Sequence, residues 1–305
     1  MPTVIILGAG ASKGAEPLIA QRSPLDSDFL RLISALRHDK ECKKHVNVLL
    51  NYLADYPSLG GVIGSMEAFY SHLDVGEPIW NDFVRKQGRP YDYERLRTAF
   101  YCCLLRLLRD ADDGSTCGWH TKLFGNLRRG DAVITFNYDA VADRALRASV
   151  SWSEDMCGYG LDGPPPRESA KRVLLLKLHG SINWAKTGAR VAVDTRASNL
   201  YMPRDGHQLL LPGWNKGIEA DPWSKLWRCA AQALREADQW IAIGYSLNPT
   251  DLKSRVLFEY AIDKLDSIAV VDPDPLVQRR WADLVATARR PISFQSFRDL
   301  RTFVS

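Results

Sequence analysis

Strand–helix alternation in the last third of the chain, a glycine turn straight after the first strand, and four strands ending in small polar clusters predict an α/β fold. The expected sheet is mostly parallel, with helices on both faces and a helical insertion after the first strand. At 305 residues the chain can bury a sizeable core. It reads as one domain over 1–305, with a helical insertion or cap at 24–129 inside it.

The first strand is Val4-Ile5-Ile6-Leu7, an apolar run with three β-branched residues that suits burial on both faces. Gly8-Ala9-Gly10-Ala11-Ser12 follows. Glycine there lets the backbone turn sharply and approach a ligand. Strand, glycine turn and helix together suit a nucleotide pyrophosphate. The dehydrogenase pattern G-x-G-x-x-G is incomplete: Lys13 stands at the third glycine position and Gly14 comes one residue late. No second strand ending in an acid follows near residue 28. The pattern favours phosphate or dinucleotide binding over hydride transfer.

From Pro24 to about Arg129 the apolar spacing is helical. Phe29, Leu32, Ile33 and Leu36 share a face, and further helices are expected over Cys42–Leu53, Ser65–Leu73 and Tyr91–Asp110. Strand rhythm returns at Asp131–Phe136, then a helix over Ala140–Ala148, a loop over 151–171 and a strand over Arg172–Leu178. Short strands and turns are expected in 187–217 and a helix in Pro222–Glu236. Trp223 and Trp227 share one face of that helix and read as core. The remaining strands are Asp238–Ile243, Ser267–Val271 and Ile292–Gln295, separated by helices over Pro249–Lys264 and Pro275–Ala288.

Composition excludes several classes. The net charge of +4 is spread among many acids and bases, so direct nucleic-acid binding is not indicated. The six cysteines, at 42, 102, 103, 117, 157 and 229, include no C-x-x-C pair, so no zinc ribbon is expected. Their usage suits a reducing compartment. No apolar run of about 18 residues appears, and no membrane association is expected. The expectation is a soluble, cytoplasmic protein.

The polar clusters are Gly8–Ser12, Asn137-Tyr138-Asp139, His179-Gly180-Ser181 and Gly244-Tyr245-Ser246. In open parallel sheets the ligand crevice lies outside the carboxyl ends of the strands, so all four should meet there. Each residue also has a structural reading. His179 could satisfy a backbone carbonyl, Asn137 could serve a turn, and Asp139, Ser246 and Asp272 could cap helices.

The segments Gly8–Ser12, Thr135-Phe136-Asn137-Tyr138-Asp139, Lys177-Leu178-His179-Gly180-Ser181 and Gly244-Tyr245-Ser246-Leu247 resemble the ordered motifs of the sirtuin superfamily. In particular they resemble the bacterial sirtuin-like proteins of phage-defence systems. The resemblance spans residue 3 to about residue 273 and implies a Rossmann-like fold with NAD as substrate. By it, His179 acts on the NAD ribose and Asn137 lies beside the nicotinamide–ribose bond. The implied cofactor-binding residues are Gly8, Ala9, Gly10, Ala11, Ser12, Asp139, Gly244, Ser246 and Asp272. Gly8 to Ser12 would hold phosphate, Ser246 phosphate or ribose, and Asp272 the adenosine ribose.

The chain departs from sirtuin deacylases in three places. Their four-cysteine zinc module is missing, since 182–237 holds only Cys229. Phe136 stands where they carry glutamine, and their Gly-Ile-Pro-Asp-Phe-Arg segment has only a loose echo at Asp28-Phe29. The expected activity is therefore NAD hydrolysis to nicotinamide and ADP-ribose, in anti-phage defence by NAD depletion, with no metal. Protein deacylation or ADP-ribosyl transfer is the second enzymatic reading, and a non-catalytic NAD or ADP-ribose sensor the third. A homo-oligomer and a regulatory protein partner are expected as means of control.

Overall fold

A computed structural model describes residues 2–15, 24–55, 65–87, 92–112, 114–150, 152, 155, 158–164, 172–187, 190–193, 207–212, 217–249 and 251–304. The chain divides into two compact units. The first comprises Met1–Ser23, Asp112–Leu210 and Gly217–Ser305, and the second Pro24–Ala111 with Leu211–Lys216.

The first unit is built on β1 (Thr3–Leu7), β2 (Ala132–Thr135), β3 (Leu174–Lys177), β7 (Gln239–Ile243), β8 (Ser267–Val271) and β9 (Ser293–Phe297). They form one six-stranded sheet in the order β3-β2-β1-β7-β8-β9. Every pairing is parallel. Taken in chain order, this is the 3-2-1-4-5-6 order of the Rossmann fold, whose direction reverses between β1 and β7. The apolar runs Val4–Leu7, Ala132–Ile134 and Ile268–Val271 are buried on both faces, as parallel strands covered by helices must be.

The flanking helices are α1 (Ala9–Lys13), α6 (Gly118–Phe124), α7 (Val141–Ser149), α8 (Trp223–Glu236), α9 (Leu252–Ala261), α10 (Pro275–Val285) and α11 (Leu300–Val304). Trp223 and Trp227 of α8 are buried in the core, as their spacing indicated. Between β3 and β7 the chain makes a small antiparallel sheet, β5-β4-β6, from Gly180–Thr187, Arg190–Val193 and His207–Leu209. Its first strand begins directly after His179, inside a stretch expected to be only a strand end.

The second unit is helical: α2 (Phe29–Ala35), α3 (Lys43–Asp55), α4 (Met66–Gln87) and α5 (Tyr93–Ala111). Phe100 lies at its centre, with ring centroids 4.6 Å from Phe29 and 5.0 Å from Tyr70. Helix α4 runs on through Pro78 to Gln87, well past the Leu73 that periodicity alone suggested. No helix among the described residues is long and apolar enough to cross a membrane.

Candidate functional site

Register brings the motif residues level. Leu7 pairs with Thr135 and with Ile243, Thr135 with Lys177, and Ile243 with Val271. The ladder runs one residue further: Phe136 N donates to Leu7 O, Leu178 N to Thr135 O, Gly8 N to Ile243 O and Gly244 N to Val271 O. Gly8, Phe136, Leu178, Gly244 and Asp272 therefore form one row at the carboxyl edge of the sheet. Asn137, His179 and Tyr245 follow immediately.

The glycines of the row interlock. A Cβ on Gly8 would stand 2.4 Å from Gly244 O, one on Gly10 would stand 2.8 Å from Gly244 Cα, and one on Gly244 would stand 2.2 Å from Ala11 N. Gly244 is also left-handed, with φ +56. Gly10 N donates to Gly244 O at 2.9 Å and Ala11 N to Gly8 O at 2.9 Å. The amides of Gly8, Gly10 and Ala11 are thus engaged with protein carbonyls. Their glycines bring the β1 turn against the β7 turn, a packing role that the phosphate reading had not included.

Asn137 is tied into the same turn. Its amide nitrogen donates to Gly8 O at 2.8 Å and to Ser12 Oγ at 3.0 Å, while Oδ1 takes no hydrogen bond from a described residue. Ser12 Oγ in turn donates to Asp139 Oδ2 at 2.7 Å. Asp139 Oδ1 accepts Val141 N at 3.0 Å, so this carboxylate also caps α7. Burial raises the Asp139 pKa above the usual carboxylate value, opposed by the Lys177 ammonium and the bonds from Ser12 and Val141.

Below this turn lies a closed polar network. Lys177 Nζ, fully buried, donates to Asp143 Oδ2 at 2.7 Å and to the Asp139 carbonyl at 2.6 Å. The Tyr159 hydroxyl donates to the other Asp143 oxygen and accepts from Asn183 Nδ2 at 3.2 Å. Ser181 donates to Asn183 Oδ1. Burial first, and then the Asp143 carboxylate, push the Tyr159 phenol far above its ordinary value, so it stays a donor. Removing one partner of a buried ion pair leaves the other charge uncompensated. Lys177→Met should therefore destabilise the fold by about 3 kcal/mol in urea denaturation, and Lys177→Met/Asp143→Leu should recover much of that. A single variant as stable as wild type would show that the pair contributes little.

His179 stands where β3 passes into β4 and is 8% exposed. Its ring meets Phe136 edge-on at 5.2 Å and Tyr138 at 6.1 Å. Phe136 in turn stacks on Tyr245, 4.2 Å between centroids and 16° between planes. Tyr245, Phe258 and Trp281 continue this floor of rings. Nε2 of His179 lies 3.7 Å from Asp251 Oδ2.

The remaining candidates lie on the β7 and β8 side. Ser246 is exposed, and its carbonyl accepts Arg280 Nη1 at 3.1 Å. It does not cap α9, because that position belongs to Asp251. Asp272 likewise does not cap α10, which Asp274 caps through Leu276 N. Asp272 is buried, with Oδ1 accepting Asp274 N at 2.9 Å, and desolvation raises its pKa. Leu247 is left-handed at φ 47, a strained conformation for a branched residue, directly after the Gly244 turn.

Sequence reasoning missed Asp251, Lys177 with Asp143, and the Phe136–Tyr245 stack. Asp251 and Lys177 could have been singled out as ionisable residues flanking recognised motifs, but their partners depend on which strands lie side by side. Among the described residues no group of three His, Cys, Asp or Glu side chains could hold a metal ion. Cys42, Cys102, Cys103, Cys117 and Cys229 are free thiols, and Cys157 lies outside the described residues.

No family model matches the chain, and no curated protein does. Solved structures do. The chain is similar in structure to Sir2 enzymes. A Sir2 homologue in complex with NAD is 14% identical with a TM-score of 0.46, over 99% of this chain and 86% of that one. A structure concerned with the mechanism and regulation of Sir2 enzymes is 12% identical with a TM-score of 0.44, over 99% and 88%. A Sir2 bound to an acetylated peptide is 14% identical with a TM-score of 0.44, over 99% and 90%.

Proposed function

We propose that this chain is a sirtuin-like NAD glycohydrolase that cleaves the nicotinamide–ribose bond to give nicotinamide and ADP-ribose. One observation carries the reading: His179 and Asn137 end neighbouring parallel strands and meet the glycine turn at the β1/β7 switch point, where such sheets bind dinucleotides. Gly8 to Ser12 with Gly244 and Ser246 would face the pyrophosphate, and Asp272 the adenosine ribose hydroxyls. Nicotinamide leaves as a neutral molecule from a cationic ring. The site therefore has to hold the oxocarbenium-like ribose dry and admit one water. In the balanced step a water O–H bond breaks and its proton passes to His179. The water oxygen bonds ribose C1′, and the C1′–N electrons depart with nicotinamide. The Oδ1 atom of Asn137, whose NH₂ is held by Gly8 and Ser12, is a neutral acceptor suited to orienting that water.

The direct test incubates purified protein with NAD and measures nicotinamide, with and without an acyl-lysine peptide. Release without peptide is expected. Release only with peptide would replace hydrolysis by deacylation, and NAD binding without release would leave a sensor. Phe136 in place of the deacylase glutamine and the absent cysteine module favour hydrolysis. An unchecked hydrolase drains cellular NAD, the outcome suited to phage defence; NAD levels in infected cells with and without the protein would test that role.

Asp272→Asn separates ribose binding from structure. Asn keeps an Oδ1 acceptor for Asp274 N and removes a desolvated charge, so the melting temperature should hold or rise. The KM for NAD should rise about 10-fold, with kcat largely kept, as loss of uniform binding dictates. An unchanged KM would remove Asp272 from the binding site.

A further inference from the structure

We propose that Asp251 is a positioning residue for His179, holding the imidazole with its proton on Nε2 and leaving Nδ1 to accept the proton of the reaction. The inference rests on the hydrolase reading. His179 arrives at the end of β3 and Asp251 from the segment after β7, so the sheet makes the pair and local sequence does not. Both side chains are buried, and Asp251 Oδ2 lies 3.7 Å from His179 Nε2, within ion-pair reach.

The carboxylate is itself fixed. Ser254 Oγ donates to Oδ2 at 2.6 Å and the Tyr245 hydroxyl donates to the same oxygen at 3.4 Å. Ser254 N donates to Oδ1 at 3.4 Å, which is the cap of α9. A cap alone needs one backbone donor and suits a solvated position. Asp251 is instead 5% exposed, and the oxygen held by both hydroxyls is the one facing the imidazole. Phe136 and Tyr138 flank the ring, so its rotation is restricted and the carboxylate meets one edge of it.

A carboxylate beside one imidazole nitrogen keeps the N–H there and makes the other nitrogen the base. As water attacks ribose C1′, its proton moves to Nδ1 and the resulting imidazolium lies beside an anion that stabilises it. Asp251 neither gains nor loses a proton. Nicotinamide departs with the C1′–N electron pair, so the atoms balance as in simple hydrolysis.

Asp251→Asn tests this, because asparagine preserves the helix cap while removing the charge. Long-range proton–nitrogen spectra of the full-length protein, with His179 assigned by comparison with His179→Gln, should show a single Nε2–H tautomer in wild type. That tautomer should give way to a mixture in Asp251→Asn at nearly unchanged melting temperature. kcat for nicotinamide release should fall about 10²-fold with KM kept. Tyr245→Phe, which removes one donor to the carboxylate, should shift the tautomers in the same direction by less. A wild-type proton on Nδ1, or an unchanged tautomer in Asp251→Asn, would overturn the proposal, and the wild-type spectrum decides even if the variant does not fold. A wild type that shows the Nε2–H tautomer but releases no nicotinamide would overturn hydrolysis and leave the positioning role standing.

Discussion

His179→Ala is expected to lower kcat for nicotinamide release about 10²–10⁴-fold, the range for loss of a general base. The fold should survive. The His179 carbonyl still accepts Leu210 N, a bond made by backbone alone, and the lost ring contacts are those to Phe136 and Tyr138. KM should change little, since no phosphate-facing group is altered. Asn137→Ala should behave differently. It removes the bonds to Gly8 O and Ser12 Oγ and so loosens the glycine turn as well as the water site. It should lower both kcat and the melting temperature. Combined with His179→Ala it should add far less than its own effect, because both residues serve one step. Circular dichroism establishes that each variant is folded before nicotinamide is measured. Full turnover by a folded His179→Ala protein would exclude the mechanism.

Gly244→Ala should be the most damaging single methyl in the sheet unit. The new Cβ would lie 2.2 Å from Ala11 N and 2.3 Å from Gly10 C, and both are backbone atoms that cannot rotate aside. The left-handed φ adds about 1 kcal/mol for any side chain. Together these place the loss above about 4 kcal/mol, in the range reserved for forced backbone displacement. NAD binding should fail with it, since the β1 turn must move. Gly130→Ala is the control. Its φ of +95 is also left-handed, but its Cβ would meet nothing within 4 Å. It should cost only about 1 kcal/mol, so urea denaturation of the two separates overlap from conformational strain. If Gly244→Ala were as mild as Gly130→Ala, the interlock of the two turns would not be rigid.

By itself the sequence determined the strands and the ends at which polar residues gather. Val4–Leu7 and Ile268–Val271 could only be strands buried on both faces, because neither leaves a polar side to meet water. Strand–helix alternation in the last third then required parallel neighbours. Motif order placed Asn137, His179 and Gly244 at strand ends, so the rim of the site was readable before any contact was known. The length of α4 was not readable, because Pro78 is a local signal to stop and the structure carries the helix through it. Nor was the purpose of the glycines: Gly8 and Gly10 look alike whether they cradle a phosphate or admit another turn, and Gly244 two hundred residues away decides for packing. Capping was decided in the same way. Asp139 serves both α7 and Ser12, while Asp251 and Asp274 take the caps that Ser246 and Asp272 might have held. The pairing of Lys177 with Asp143 and of His179 with Asp251 depends on which elements lie side by side. Side-chain identity fixes what a residue can donate or accept, but only tertiary packing brings its partner within the few ångströms over which charges and hydrogen bonds act.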